Sequence, residues 1–289
     1  MNQQVKFNLL ALLTIAVWGV TFVSTKILLS DGMTPTWVFI SRFAIAYVCV
    51  LALSHKRLWA DSLRDEMYML AMGLTGGSLY FIAENTALGL TYASNVSLII
   101  CTAPILTMII DAIKYNRRIS VRAAIGSIMA MAGVAIVVMN GSYNFNINPL
   151  GDLLTLLAAL FWAIYCLMVK YMNNKYSNLF ITRKVFFYGC VSALIYSLTE
   201  PRPELPAPDR MWQVVVNLLF LGVMASFVCY ILWNNVVKIL GAVKATNYIY
   251  FIPVITIIAS SLVLDEPVSL GLIAGGAIIV SGVYLSTRN

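Results

Sequence analysis

Two polar residues, Glu84 and Asn85, stand at the end of a long apolar stretch and open the run ENTALGLTYASNVSLIICTAPILTMII. A second run, WNNVVKILGAVKATNYIYFIPVITIIA, repeats that layout 149 residues later, so that Asn85 falls on Asn234, Ala93 on Ala242 and Pro104 on Pro253. Polar and ionisable groups inside a bilayer are costly and tend to face a cavity or a partner. Those of this chain are Lys26, Arg42, Glu84, Asn85, Asn95, Asp111, Lys170, Asn234, Asn235 and Asn247. Glu84 has no counterpart in the second run, where Trp233 takes its place, so the repeated scaffold does not require a carboxylate there. Its candidate roles are to bind a substrate amine, to carry a proton, or to form a structural ion pair with Lys26 or Arg42. Asp111 and Lys170 fall near helix ends, where a lysine can snorkel to the interface.

Aromatic residues accompany these polar groups. Trp18, Tyr80, Trp162, Tyr165, Tyr230, Trp233, Tyr248 and Phe251 are candidates for the wall of a binding site, with interfacial anchoring and plain helix packing as the alternatives. Trp18 and Lys26 fall on Trp162 and Lys170 at an offset of 144, which carries both tryptophans to matching depth. Aromatic walls with a few amides and one carboxylate suit an amphiphilic organic solute better than an inorganic ion, which wants rings of oxygen ligands. Pro104 and Pro253 each remove a backbone hydrogen bond in mid-segment, which predicts kinks and freed carbonyls near Ile100 and Ile249. A bend that shapes a cavity is the preferred role, with motion left open.

The elements that must position these residues are membrane spans. The chain has 289 residues, 61% hydrophobic and 11% charged, against about 25% charged in soluble domains. Ten segments have the length and apolarity of a spanning helix: roughly 7–30, 35–54, 67–90, 93–113, 121–140, 150–172, 179–199, 211–237, 243–264 and 268–287. The expected fold class is therefore an all-α membrane protein of ten transmembrane helices. The formal net charge of +7 reads as membrane topology, with no nucleic-acid partner. Lysine and arginine gather in alternate loops, which places both termini in the cytoplasm and the proline-rich loop at 201–208 outside. The first apolar segment is too long for a signal-peptide core and reads as a retained span.

Cys49, Cys101, Cys166, Cys190 and Cys229 all lie in apolar stretches without CxxC spacing, and His55 is the lone histidine. Neither a disulfide framework nor a metal site is expected, no cofactor is implied, and the phosphate-cradling loop of a nucleotide-driven pump is absent. The halves divide at 1–144 and 145–289. Gly73 matches Gly222, and Ser120, Gly126 and Gly133 match Ser269, Gly275 and Gly282. Glycines at this spacing allow close helix approach. Five spans per copy is an odd number, so the second copy enters the membrane inverted, a construction used by secondary transporters with the site between the halves.

The second half, GAVKATNYIYFIPVITIIASSLVLDEPVSLGLIAGGAIIVSGVYL, resembles EamA-type carriers of the drug/metabolite transporter superfamily: Lys-Ala after the turn, a mid-helix proline, an acidic residue before the last helix, then a glycine-spaced helix. The first half, with ALGLTYASNVSLIICTAPILTMII and IGSIMAMAGV, is similar, except that Arg117 stands where the second has Glu266. The resemblance implies a ten-helix carrier whose central cavity is lined by helices one, three, four, six, eight and nine, in a family many of whose members export amino acids or related metabolites.

The leading reading is a secondary transporter of the bacterial inner membrane that moves an amino acid or similar solute outward by alternating access. Its expected partners are a small-molecule substrate and the lipid bilayer, with proton coupling open and a monomer or weak homodimer as its state. Proton-coupled uptake is the alternative within transport. A lipid-modifying membrane enzyme would need a His/Asp/Glu cluster that the sequence lacks, and a pore would need symmetric charged or carbonyl-rich rings.

Overall fold

The computed structural model describes residues 3–55, 57–91, 93–139, 148–200, 207–264 and 270–287. Glu266, the boundary at 144 and 145, most of the proline-rich loop and the side chain of Asn95 lie outside the described residues. Among those described there are helices and turns and no strand. In the first half run α1 (Gln3–Ser30), α2 (Pro35–Leu53), α3 (Leu63–Gly73), α4 (Leu79–Leu90), α5 (Ala93–Ile100), α6 (Ala103–Lys114) and α7 (Val121–Met139). The second half has α8 (Pro149–Met172), α9 (Asn178–Ser197), α10 (Met211–Leu219), α11 (Cys229–Leu240), α12 (Ala242–Thr246), α13 (Ile252–Leu264) and α14 (Leu270–Thr287).

Among the described residues, six stretches are long and apolar enough to cross a membrane: Gln3–Ser30, Pro35–Leu53, Val96–Lys114, Pro149–Met172, Asn178–Ser197 and Pro208–Leu240. Shorter apolar helices occupy Val121–Ile136 and Ile273–Ser286. Several starts follow from local chemistry. Thr34, Ser62, Asn148 and Ser177 each accept a hydrogen bond from the backbone N–H three residues on, which satisfies one of the orphan donors of a first turn. Pro35 and Pro149 follow two of these caps, where a missing N–H costs nothing.

The two mid-segment prolines do more than kink their helices. α5 stops at Ile100, Cys101 and Thr102 form a turn, and Pro104 is the second residue of α6. In the other half a 3₁₀ segment, Asn247–Phe251, intervenes, and Pro253 is the second residue of α13. The physical reason is the same in both: a proline is tolerated in a first turn but clashes with the carbonyl four residues before it inside a helix. The Ile249 carbonyl accepts the Cys101 thiol at 3.6 Å, so one interruption rests on the other.

Two further irregularities have no proline to announce them. π-helical turns at Leu74–Ser78 and Phe220–Val228 join α3 to α4 and α10 to α11. Gly76 lies against the Tyr165 ring so closely that a Cβ would stand 2.2 Å from it, and its carbonyl accepts the Tyr230 hydroxyl at 2.5 Å. Gly73 and Gly222, matched in the repeat, face Tyr188 on α9 and Ile45 on α2. The turns thus re-aim α4 and α11 where large side chains of the other helices need room.

The main packing pairs cross between the halves: α7 with α14, α4 with α8, α2 with α9, and α1 with α11 and α13. At the α7–α14 contact a Cβ on Gly126 would lie 2.5 Å from the Ser286 nitrogen, and one on Gly282 would lie 2.5 Å from the Ala130 nitrogen. Backbone meets backbone there, so an added methyl has nowhere to go; overpacking of this kind costs about 1–3 kcal/mol. One face of the bundle is tied by polar contacts. Arg210 donates to Asp31 at 2.7 Å, Thr36 to Glu200 at 2.9 Å, and Asn148 to the Leu90 carbonyl at 3.1 Å.

Candidate functional site

α1 brings three residues of one helical face, Trp18, Thr21 and Phe22, to the middle of the bundle. Their spacing of three and four residues is what a helix needs to present one stripe. From α4, Tyr80, Phe81 and Glu84 meet that stripe, and Arg42 of α2, Trp162 of α8 and Tyr230 of α11 complete the ring. Ile100, at the end of α5, and Ile249 and Ile252, around the break before α13, form the remaining wall. The enclosed space is about 30 Å³, room for a water or two, whereas a cavity that admits benzene measures about 150 Å³. The site in this conformation is contracted around its walls.

The aromatic rings are packed edge to face and tilted. Trp18 and Trp162 have centroids 5.2 Å apart at 85°, and Trp162 lies 5.1 Å from Tyr80. Trp18 also donates its indole N–H to the Ala225 carbonyl at 2.9 Å, a carbonyl within the second π-helical turn. That bond couples a wall residue of α1 to the irregular segment that aims Tyr230.

Two ionisable side chains share this space. Glu84 is 7% exposed and accepts the Tyr80 hydroxyl at 2.7 Å. Arg42 is 2% exposed; its Nε donates to Ser226 at 2.9 Å and its guanidinium lies 4.4 Å from the Phe81 centroid. Arg42 is therefore a wall residue. Among the described residues no salt bridge from Lys26 or Arg42 reaches Glu84; Tyr80 donates to the carboxylate and Arg42 donates to Ser226. Lys26 is placed elsewhere altogether, with its ammonium on the Leu88 and Thr91 carbonyls at 3.3 and 3.2 Å. It caps the end of α4, where the last carbonyls lack helical partners.

Of the remaining candidates, Tyr165 and Trp233 stand behind the wall. Tyr165 packs 5.2 Å from Trp162 and Trp233 lies 5.1 Å from Trp18. Asn234 is wholly buried, accepting the Tyr165 hydroxyl at 2.8 Å and donating to Thr182 at 3.0 Å. Asn85 is also wholly buried and donates to the Pro35 carbonyl at 3.1 Å, away from the cavity. Asn247 and Tyr248 are buried in the 3₁₀ segment off the wall, and Phe251 packs against the core. The sequence reading missed Thr21, Phe22, Phe81, Ile100, Ile249 and Ile252. The helical spacing from Trp18 would have found Thr21 and Phe22, and the two carbonyl positions ahead of the prolines were already singled out for their backbone.

An apolar bundle whose polar space is enclosed in its centre by helices of two similar halves has the construction of a membrane transporter. The EamA-like transporter family model matches residues 5–139 and again 149–288, so the chain belongs to that family. It is 29% identical over 285 residues to an uncharacterized transporter of Archaeoglobus fulgidus, covering 96% of each chain. It is 23% identical over 274 residues to the uncharacterized transporter YoaV of Bacillus subtilis, covering 94% of this chain and 93% of that one. A probable terminal-alkyne amino-acid exporter of Streptantibioticus cattleyicolor is 24% identical over 283 residues, covering 96% of this chain and 91% of its own length. A solved crystal structure with a TM-score of 0.76 and 18% identity, covering 97% of this chain and 95% of that chain, shares the fold. The family and the names of these sequence relatives point to a transporter and not to an enzyme.

Proposed function

We propose that this transporter is a ten-span carrier of an amphiphilic organic solute, an amino acid or a close relative, which it exports across the cytoplasmic membrane by alternating access. The observation that carries the reading is the placing of Arg42 and Glu84 in one aromatic-walled cavity. A guanidinium recognises a carboxylate with directed hydrogen bonds, a carboxylate accepts an ammonium group, and the rings between them cover an apolar side chain. The amino-acid exporter among the relatives supports the same substrate class.

In this reading the halves are inverted repeats with both termini in the cytoplasm, and the face tied by Arg210–Asp31 and Thr36–Glu200 is the outer one. A cysteine introduced at Ala207 should react with an impermeant thiol reagent on intact cells; labelling only after the membrane is broken would reverse the topology. The contracted cavity must widen to admit a solute, and the interrupted helices, α5 with α6 and α12 with α13, supply breaks at which it can do so.

Proteoliposome counterflow with a panel of radiolabelled amino acids tests the function. Saturable counterflow of at least one of them is the expected result, and steady single-channel currents with no counterflow would replace the carrier by a pore. Proton-coupled uptake is the second reading, favoured by one feature: the hydrogen-bond donor that meets Glu84 is the Tyr80 hydroxyl, a neutral group that leaves the carboxylate free to exchange a proton with a solute or with water.

A further inference from the structure

At the face where α6, α8, α11 and α14 end, a second cavity of about 370 Å³ opens between the halves. Its walls carry Asp111 of α6, Arg117 and Arg118 of the following loop, Lys170 of α8 and Lys244 of α12. Asp111 is 7% exposed, and its partnering is incomplete. One carboxylate oxygen lies 3.8 Å from Arg117, well beyond the roughly 2.7–2.9 Å of a charge-assisted hydrogen bond. Its other oxygen is buried and meets no donor among the described residues. A buried acceptor left without a partner is costly, and an ammonium group is the partner that would relieve it. Opposite, the Lys170 ammonium lies over Gly241, whose positive φ of 85° bars a side chain; a Cβ there would be 3.8 Å from Lys170 Nζ. Lys170 therefore lines the cavity, a different placement from snorkelling into the lipid interface.

We propose that this vestibule is a staging site for a zwitterionic solute, with Asp111 on its ammonium group and Lys170, helped by Arg118 and Lys244, on its carboxylate. The proposal rests on the carrier reading and names the charge pattern of its substrate. The location suits the role. Ile100 on the central wall and Met108 in the vestibule stand eight residues apart along the interrupted α5–α6 segment, roughly 12 Å at helical rise. In the other half Val243 in the vestibule and Ile249 on the central wall stand six residues apart. A solute released from one space would be received directly by the other. While the central cavity is contracted, the vestibule has the volume for a metabolite, and its excess of cations raises the local concentration of carboxylates.

The test compares three probes that share one side chain: L-phenylalanine, 2-phenylethylamine, which lacks the carboxylate, and 3-phenylpropanoate, which lacks the ammonium. In phosphatidylcholine proteoliposomes the wild-type protein should favour L-phenylalanine by about tenfold in kcat/KM over each of the others. Asp111→Asn should raise the KM for L-phenylalanine about fivefold or more and erase discrimination against 3-phenylpropanoate, while Lys170→Met should erase discrimination against 2-phenylethylamine. Asp111→Glu, which keeps the charge, should restore both values and controls for misfolding. Unchanged KM and unchanged discrimination in both variants would overturn the assignment. So would a KM that rises only when phosphatidylethanolamine is added, since a lipid headgroup would then occupy the vestibule. If the wild-type protein counterflows other organic solutes but no zwitterion, the staging site falls and the carrier stands; if it counterflows nothing, both fall.

Discussion

The Glu84→Gln protein is expected to insert and fold normally, to transport at least about tenfold more slowly than wild type at limiting substrate, and to lose any response to an imposed pH gradient. A tenfold loss corresponds to about 1.4 kcal/mol of transition-state stabilisation, and removing one charge-assisted contact accounts for a loss of that size. The expectation rests on the geometry. Glu84 is buried in the cavity, the neutral Tyr80 hydroxyl donates to it, and among the described residues no cation forms a salt bridge with it. The carboxylate is therefore tied down by no salt bridge among the described residues and is available to a solute. Glutamine has the same length and still accepts the Tyr80 hydrogen bond, so packing is preserved while the ability to hold an ammonium group or a proton is lost. Transport in proteoliposomes across a range of pH, with thermal stability as the control, decides the matter. A stable Gln protein with unchanged affinity and an unchanged pH profile would reduce Glu84 to a packing residue.

The second large effect is expected at the tryptophan pair. Trp162→Ala should raise KM for an aromatic or branched solute by about tenfold, because Trp162 touches Trp18, Tyr80, Tyr165, Tyr230 and Trp233 and forms the middle of the ring wall. Aromatic pairs contribute about 0.5–1.5 kcal/mol each beyond their area, so truncation removes several such contacts at once. Trp162→Phe, which keeps a ring, should recover most of the affinity. Trp18→Phe should behave differently: it keeps ring contact but forfeits the indole bond to the Ala225 carbonyl, worth about 0.5–1.5 kcal/mol. That loss loosens the π-helical turn behind Tyr230 and should lower kcat more than it raises KM. If Trp162→Ala and Trp18→Phe both transport with wild-type KM and kcat, the tryptophans belong to helix packing and the site lies elsewhere.

Much of this protein is legible in its sequence, because a bilayer leaves a chain few options. Backbone groups in hydrocarbon must be paired within a helix, so long apolar runs fix the helices. Prolines at equal places in two runs fix the interruptions, since a ring without an N–H forces the helix to restart. Trp18 and Trp162 were placed at matching depth by the offset between the halves, and they meet at 5.2 Å. What one dimension does not carry is the rotation of each helix about its axis. Glu84 and Asn85 are neighbours in sequence, yet a helix turns about 100° per residue, so Glu84 faces the cavity while Asn85 bonds the Pro35 carbonyl. Asn234 likewise turns to Tyr165 and Thr182. That rotation is set by the π-helical turns, which arise where Gly76 must admit the Tyr165 ring and Gly222 must admit Ile45. Those are contacts between distant segments, and no local pattern announces them. The same applies to charge: sequence depth alone made Lys26 and Arg42 equal partners for Glu84. Packing sent Lys26 to the open carbonyls at the end of α4 and left Arg42 in the cavity wall, where a guanidinium can meet a solute.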